Sequence, residues 1–455
     1  MAFSFQHRAP ALRRVLFGLA LLIGVGPPTP AATQDGGLKA RFAELFTFGT
    51  GCGLDVLFCL RSGSGAPDFA QEAFSTNANA TARELTLFLQ GAITAGIATV
   101  PAPSAGSGET FRLSALGIPV RNEEKSLGPI LAERALTLGR GSFLLGANLT
   151  VMRLDKLRGT SLEDLHFNVV QRDLPPTGPP LGDPAIERTY LSVKTRMAFE
   201  ARVANLFMTA GVTDRLDLGI LIPIVQATIS GFSDAEIMIG EGEDPAAGFS
   251  FGGPTEDPKL RERSVVPQER ATGLGDISIR GKYRFTEPEE ALGLAVLTDI
   301  RLPTGRDEDF LGSPGVWVQG LGVMTVDVGS GFTPHANAGL ALRSGEGQRN
   351  AVILAMGFDH LTSKRLTIAG ELLAQLPLGS NPLIRKEIVI RNDLGSEISV
   401  PTSNLPTLRD NILDGAVGAR FRLWEIVAIG NVIVPLNDGG LRSKALWTFG
   451  LQASF

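Results

Sequence analysis

The chain ends in the sequence SKALWTFGLQASF, which runs from Ser443 to Phe455. From position 445 onward, the odd-numbered residues are Ala, Trp, Phe, Leu, Ala and Phe, whereas Thr, Gln and Ser stand at even-numbered positions. This period of two predicts a β-strand with one apolar and one polar face. The strand is long enough to cross a bilayer at a tilt.

The N-terminus has the features of a secretory signal. Basic residues up to Arg14 precede an apolar run over residues 15–25, and small residues follow it. The run is shorter than the roughly 20 residues that a membrane-spanning helix needs. We therefore expect residues 1–32 to be a signal peptide. No later segment has an apolar run of helical membrane length, so the exported chain should be either soluble or a membrane barrel.

The composition restricts partners more than it restricts the fold. The chain is 44% hydrophobic and 20% charged with a net charge of −5, and it has no basic run, so we expect no nucleic-acid partner. Its two cysteines, Cys52 and Cys59, should form a disulfide in an oxidising compartment. The four histidines are scattered along the chain, and we expect no metal site and no cofactor.

Residues 142–455 alternate repeatedly between apolar and polar side chains. The clearest case is DISIRGKYRF, Asp276 to Phe285, in which Arg280 and Lys282 share the polar face. A charged side chain facing lipid costs roughly 2–4 kcal/mol near the bilayer midplane, so these charges should face inward. The pattern predicts an all-β fold: a transmembrane antiparallel β-barrel of about 12 strands, or up to about 14.

The joins between the predicted strands alternate in length along the chain. Tight turns alternate with longer segments such as 156–188, 231–273 and 378–410. This is the pattern of an outer-membrane barrel, which has short turns on the periplasmic side and long loops outside. The segment 231–272 is rich in Gly, Pro, Asp and Glu, and we expect it to be a solvated loop.

Residues 33–141 are less typical of barrel strands. They mix helix-like and short extended patterns with a Pro-, Gly- and Ser-rich stretch at 101–108. Three arrangements are open: a plug inside the lumen, a periplasmic extension, or a further hairpin. We favour the plug, which divides the chain into a signal peptide, an N-terminal plug or periplasmic region at 33–141 and a barrel at 142–455.

The face of each predicted strand that should point inward carries many charged side chains. The candidates that line or approach the lumen are Lys194, Arg196, Glu200, Arg202, Asp217, Arg280, Lys282, Arg284, Asp299, Arg301, Glu371, Arg420, Arg422 and Lys444. They could form a salt-bridge network that fills the interior, as polar-in strands require. They could also form a charged constriction that selects solutes. Both interpretations remain open.

Catalytic signatures are weak. His335 and His360 have no serine placed beside them by the pattern, and no Gly-x-Ser-x-Gly turn occurs in the sequence. We therefore expect no enzyme activity.

Four segments resemble one family of transporters. They are Ser126 to Gly141, Gly211 to Gly219 followed by Ile222 and Pro223, Gly273 to Phe285, and Leu302 to Gly305. Together they resemble the outer-membrane transporter family named for the meta-pathway of phenol degradation, which is similar to the long-chain fatty acid transporter barrels. The resemblance implies a barrel with an N-terminal plug that passes hydrophobic or aromatic compounds.

The terminal strand gives a more general resemblance. An aromatic residue at its end, here Phe455, is similar to the assembly signal of bacterial outer-membrane barrels. It implies a Gram-negative outer membrane, contact with outer-membrane lipid and recognition by the barrel assembly machinery. We expect a channel for passive uptake of small hydrophobic or aromatic solutes. The alternative is a non-conducting barrel that is structural or binds a partner at its surface.

Overall fold

The computed structural model describes most of the chain. The described residues are 37–50, 52, 56–62, 68–98, 111–113, 119–121, 126–170, 189–239, 249–252, 259–287, 290–345, 347–379, 388–391 and 397–454. The expected signal peptide at 1–32 and the expected assembly signal at Phe455 lie outside these residues.

Twelve antiparallel strands form a closed barrel, because each strand pairs with its neighbours along the chain and the last pairs with the first. They are β1 (Phe143–Leu154), β2 (Tyr190–Gly211), β3 (Leu216–Met238), β4 (Ser278–Arg284), β5 (Leu292–Arg301), β6 (Trp317–Val326), β7 (Phe332–Arg343), β8 (Ala351–Ser363), β9 (Leu366–Pro377), β10 (Ile412–Leu423), β11 (Ile426–Pro435) and β12 (Leu446–Ser454). The fold class and the strand number agree with the sequence prediction.

The faces of the strands follow the predicted parity. On β5, Leu294, Val296 and Ile300 are more than a third exposed, whereas Leu297 and Asp299 are buried. The exposed apolar side chains of neighbouring strands form an outer band that suits lipid, and the buried set faces the lumen. Large aromatic side chains gather where this band meets the short turns, as an interfacial girdle requires: Phe143, Tyr283, Phe285, Phe332, Phe358, Phe421 and Trp424.

Residues 231–238 and 261–272 are not the solvated loop that the composition suggested, and residues 240–248 and 253–258 of this segment lie outside the described residues. Strand β3 continues to Met238, and a further strand, Arg261–Leu274, pairs with it. Cross-strand ion pairs explain this outcome, because the acidic side chains have basic partners: Arg261 lies 2.5 Å from Glu236 and Arg263 lies 2.5 Å from Asp234. Composition shows charge, but it does not show that the charges lie opposite one another.

The structure describes further elements besides these twelve strands. They are helix α1 (Gly37–Glu44), helix α2 (Asp68–Ala98), a 3₁₀ turn at Asp307–Asp309, and short strands at Leu60–Ser62, Phe111–Leu113, Pro119–Arg121, Lys156–Leu157, Thr160–Ser161, Leu165–Val170, Phe249–Phe251, Ile388–Arg391, Glu397–Val400 and Leu441–Arg442. None of the helices that the structure describes combines the length and the apolar character needed to span a membrane.

The N-terminal elements are tied to the loop-side half of the barrel. In α1, Phe42 packs edge-on against Phe310 at 6.1 Å between ring centroids, and the backbone N–H of Leu38 donates to Asp309 at 3.1 Å. Cys52 and Cys59 form the predicted disulfide. Gly49 has a φ of +80°, and a Cβ on it would lie 2.3 Å from the carbonyl oxygen of Cys59, so this close approach requires glycine.

Candidate functional site

Nine of the fourteen charged residues expected to point inward lie on the same face of their strands as the buried side chains. Asp217 on β3, Arg280, Lys282 and Arg284 on β4, Asp299 and Arg301 on β5, Glu371 on β9, and Arg420 and Arg422 on β10 all lie at inward positions. Six of these nine side chains are less than 6% exposed. The strand period fixed their direction, since one register slip would have turned every one of them toward lipid.

Arg196 and Arg202 correct the prediction. On β2 the odd-numbered residues are buried, and Arg196 and Arg202 lie on the opposite, exposed face together with Lys194 and Glu200. The physical reason is that β2 and β3 extend beyond the apolar band. The outward residues of β3 change there from Ile224 to polar ones, so an outward charge meets water at little cost. Lys444 is also exposed and precedes β12.

A segment from Ser126 to Arg140, which we call the luminal segment, runs among the inward side chains. The Glu371 carboxylate accepts hydrogen bonds from three successive backbone N–H groups, at 2.6 Å from Ile130, 3.1 Å from Leu131 and 3.0 Å from Ala132. A carboxylate held by several N–H groups makes strong, charge-assisted hydrogen bonds. One inward acid of β9 therefore fixes a whole turn of the segment.

Side chains of other strands form hydrogen bonds with further backbone groups of the luminal segment. Asn337 on β7 accepts from the N–H of Glu133 at 2.7 Å and donates to its carbonyl at 2.9 Å. Thr325 accepts from the N–H of Ala135 at 2.9 Å, and Asp217 accepts from that of Leu138 at 3.1 Å. Because buried backbone groups need partners, these side chains allow an irregular segment to lie inside the barrel.

The luminal segment also supplies charge. Glu133, 2% exposed, lies 2.9 Å from Arg280 and 3.4 Å from Lys282. Arg280 in turn lies 3.6 Å from Asp299. Arg134 forms a buried ion pair with Asp359 of β8. Each inward cation of this group thus has an acid from another element, and this removes most of the cost of burying it.

Sequence reasoning missed Glu133, Arg134, Asn337 and Asp359 as lumen residues. A signal for Glu133 was present, because Arg280, Lys282 and Arg284 place three basic residues in succession on one inner face. Three buried cations require acids from elsewhere in the chain. The sequence alone could not show that the partner comes from a segment nearly 150 residues away.

A cavity of about 340 Å³ lies between helix α2 and the luminal segment. Residues from Phe88 to Gly96 of α2 line one side, and Leu131, Ala132 and Glu133 line another. Inward side chains of the barrel strands complete the wall. Arg158 holds this arrangement, since its guanidinium lies 5.5 Å from the Phe88 ring centroid and bonds Asp410 at 2.8 Å.

The cavity wall is amphipathic. Apolar side chains line part of it, namely Met152, Leu321, Ile353, Leu373, Ile433 and Leu446. Another part holds Trp317, Arg343, Gln348 and Arg349. A wall of this kind suits a small organic molecule with an apolar body and one polar end.

The lumen offers little for metal or covalent chemistry. Within the described ranges, no group of three or more His, Cys, Asp or Glu residues is arranged to hold a metal ion. His335 is completely buried, 3.5 Å from Asp359 and 3.8 Å from Glu371. The Ser126 hydroxyl contacts Arg134 and Asp359 instead of acting on an open pocket. These contacts are those of a packed polar network.

Three solved structures are similar to this chain. An outer membrane channel from Pseudomonas putida F1 has a TM-score of 0.41 and 12% identity, over 70% of this chain and 98% of that one. A Pseudomonas aeruginosa FadL homologue has a TM-score of 0.30 and 12% identity, over 69% and 90%. A deletion mutant of the TodX monoaromatic hydrocarbon channel has a TM-score of 0.32 and 9% identity, over 78% and 97%. Two of the three are named as channels. No protein-family profile and no curated protein matches the chain.

Proposed function

We propose that this protein is an outer-membrane channel that admits small hydrophobic or aromatic compounds by passive diffusion. The observation that carries the proposal is the amphipathic cavity inside a closed barrel with an apolar outer band. A cavity of about 340 Å³ lies at the small end of the range for small-molecule sites. A single aromatic ring with one polar group is of suitable size.

The region 33–141 would serve as the plug. Its helix α2 borders the cavity on one side, and the luminal segment borders it on the other. A solute would enter from the loop side, occupy the cavity, and leave when the luminal segment shifts. The short turns would face the periplasm, Phe455 would be read by the assembly machinery, and residues 1–32 would be removed on export.

The alternative is a non-conducting barrel, and one observation favours it. The luminal segment is held by inward side chains of at least five strands, among them Asp217, Thr325, Asn337, Asp359 and Glu371. Several buried charges would lose their partners if it moved. This arrangement would suit a barrel with a permanently filled interior.

Uptake into proteoliposomes separates the two functions. The purified protein would be reconstituted, and entry of radiolabelled benzyl alcohol would be compared with protein-free liposomes and with a heat-unfolded sample. Faster entry through the folded protein, together with slower growth of a deletion strain on aromatic substrates, supports the channel. Equal entry in all three preparations contradicts it and leaves the non-conducting barrel.

The same preparation tests the location. The protein should be recovered in the outer-membrane fraction and should migrate differently in SDS gels before and after heating. Recovery in the soluble periplasm would contradict the proposed location.

A further inference from the structure

Three aromatic and basic side chains stand in one row across the cavity wall. The strand register places Trp317 directly opposite Arg301 of β5 on one side and Arg343 of β7 on the other. The Arg343 guanidinium lies 4.2 Å from the Trp317 ring centroid, and that of Arg301 lies 5.8 Å from it. The indole thus holds two guanidinium groups beside the cavity through cation–π contacts.

Arg343 differs from the other basic residues of the cavity. Among the described residues, Arg280 has Glu133, Arg301 has Asp299, Arg349 has Asp410 and Arg442 has Asp414 as ion-pair partners, which leaves Arg343 as the cavity arginine with no carboxylate at salt-bridge distance. Its one hydrogen bond goes to the carbonyl of Arg349 at 3.2 Å.

The same part of the wall carries buried polar atoms that have no hydrogen-bond partner among the described residues. They are the indole Nε1 of Trp317, the Nε atoms of Arg343 and Arg349, and both Nε2 and Oε1 of Gln348, so three donors of the indole and guanidinium type stand beside one amide. Trp317 is only 6% exposed. Indole and guanidinium groups donate and cannot accept, so these groups can be satisfied only by an acceptor, and best by an anionic one.

Arg343 is partly buried, and a partly buried cation without a nearby counter-charge is unfavourable; groups that break this rule are expected at functional sites. The same cavity is also lined by Leu321, Ile353 and Leu373, which can contact an apolar body. A compact molecule that has a carboxylate at one end would satisfy both parts of the wall.

We propose that the cavity is a binding site for compact organic carboxylates, with the carboxylate held by Arg343, Trp317 and Arg349 and the apolar body against Leu321 and Leu373. This inference rests on the proposed channel function and narrows its solute class from hydrophobic compounds in general to monoanions. An aromatic acid and a short aliphatic acid both have the carboxylate and the apolar body that this site would recognise.

Trp317 itself can report binding. The chain has three tryptophans, and the other two, Trp424 and Trp447, lie on the exposed outer surface. In a variant with Trp424→Phe and Trp447→Phe, the fluorescence of Trp317 would be titrated with benzoate, hexanoate and uncharged benzyl alcohol at neutral pH. We expect saturable binding of at least one acid, about tenfold tighter than that of benzyl alcohol. The acid that binds more tightly shows whether the site prefers an aromatic or an aliphatic body.

Arg343→Met should remove this preference, so that the better acid binds no more tightly than benzyl alcohol. The matched control is Arg202→Met, which removes an arginine from the outer face and should keep the preference. Arg343→Met should fold at least as stably as the parent protein, because it removes a cation that has no ion-pair partner among the described residues. If this variant does not fold, Arg343→Lys is the substitute, because lysine keeps the positive charge but lacks the planar guanidinium that binds a carboxylate through two hydrogen bonds. Its preference for the acids over benzyl alcohol should fall measurably.

The outcomes separate the two proposals. Equal affinity for acids and alcohol, with benzyl alcohol still crossing proteoliposomes, overturns the carboxylate site and leaves the channel. A preference that survives in Arg343→Met also overturns the site. No uptake of any of the three compounds overturns the channel function itself.

Discussion

Arg134 and Asp359 form an ion pair inside the barrel although 225 residues separate them in the sequence. Their side chains are 1% and 0% exposed, and Nε of Arg134 lies 2.9 Å from Oδ1 of Asp359. The Ser126 hydroxyl contacts both residues. The pair joins the luminal segment to β8, so the stability of the barrel and the position of the luminal segment are physically linked.

Arg134→Met should destabilise the protein strongly. The substitution leaves the Asp359 carboxylate buried without its cation, and losing one partner of a buried pair costs about 3–5 kcal/mol. The free energy of unfolding in detergent, followed by the heat-modifiable gel shift and by circular dichroism, measures the loss. The double variant Arg134→Met, Asp359→Leu should recover most of the stability.

The control for this experiment is Arg215→Met, because Arg215 pairs with Glu287 at an exposed position. Exposed pairs contribute about 0–1 kcal/mol. If Arg134→Met loses no more free energy of unfolding than the Arg215→Met control, the buried pair does not hold the luminal segment.

Glu371→Gln should loosen the luminal segment while the barrel stays folded. An amide offers one acceptor oxygen where the carboxylate offers two to the N–H groups of Ile130, Leu131 and Ala132, and about 1–3 kcal/mol is lost. Hydrogen exchange at residues 130–132 should become faster by about tenfold or more. Glu425→Gln, at an exposed turn, is the control. Unchanged exchange at 130–132 would rule out this anchoring role.

A pair of substitutions on β3 should locate the edge of the bilayer. Ile220 and Thr228 lie on the same outward face of the strand, Ile220 within the apolar band and Thr228 beyond it. Ile220→Arg should lower the free energy of unfolding by about 2–4 kcal/mol, and Thr228→Arg should lower it by about 0–1 kcal/mol. Unfolding in lipid vesicles gives both values. Equal costs would mean that the apolar band does not mark the membrane as we describe it.

Loss of the Cys52–Cys59 disulfide should affect the N-terminal region more than the barrel. The two cysteines are seven residues apart, and a loop of this size is worth about 2–3 kcal/mol in the chain-entropy account. Cys59→Ser with Cys52→Ser should therefore speed proteolysis near Phe48 and Phe58, whose rings stack at 5.1 Å. The gel shift of the barrel should not change. Barrel unfolding in this variant would contradict the expectation.

The sequence by itself determined the barrel and the direction of most of its side chains. A strand has a period of two, and a charge facing lipid is expensive, so Arg280 and Lys282 had only one acceptable direction. The number of strands and the separation of short turns from long joins followed from the same local pattern. These features depend on residues near one another in the chain.

Tertiary structure decided the rest. Arg196 and Arg202 show the same alternation as the inward charges, but their strand leaves the membrane, and the sequence does not mark where lipid ends and water begins. The strand at 261–274 depended on ion pairs across to β3. The luminal segment depends on Glu371 and Asn337, more than 200 residues away. The cavity and the exceptional position of Arg343 arise only when the barrel closes around that segment, because burial and the pairing of charges are properties of the assembled interior.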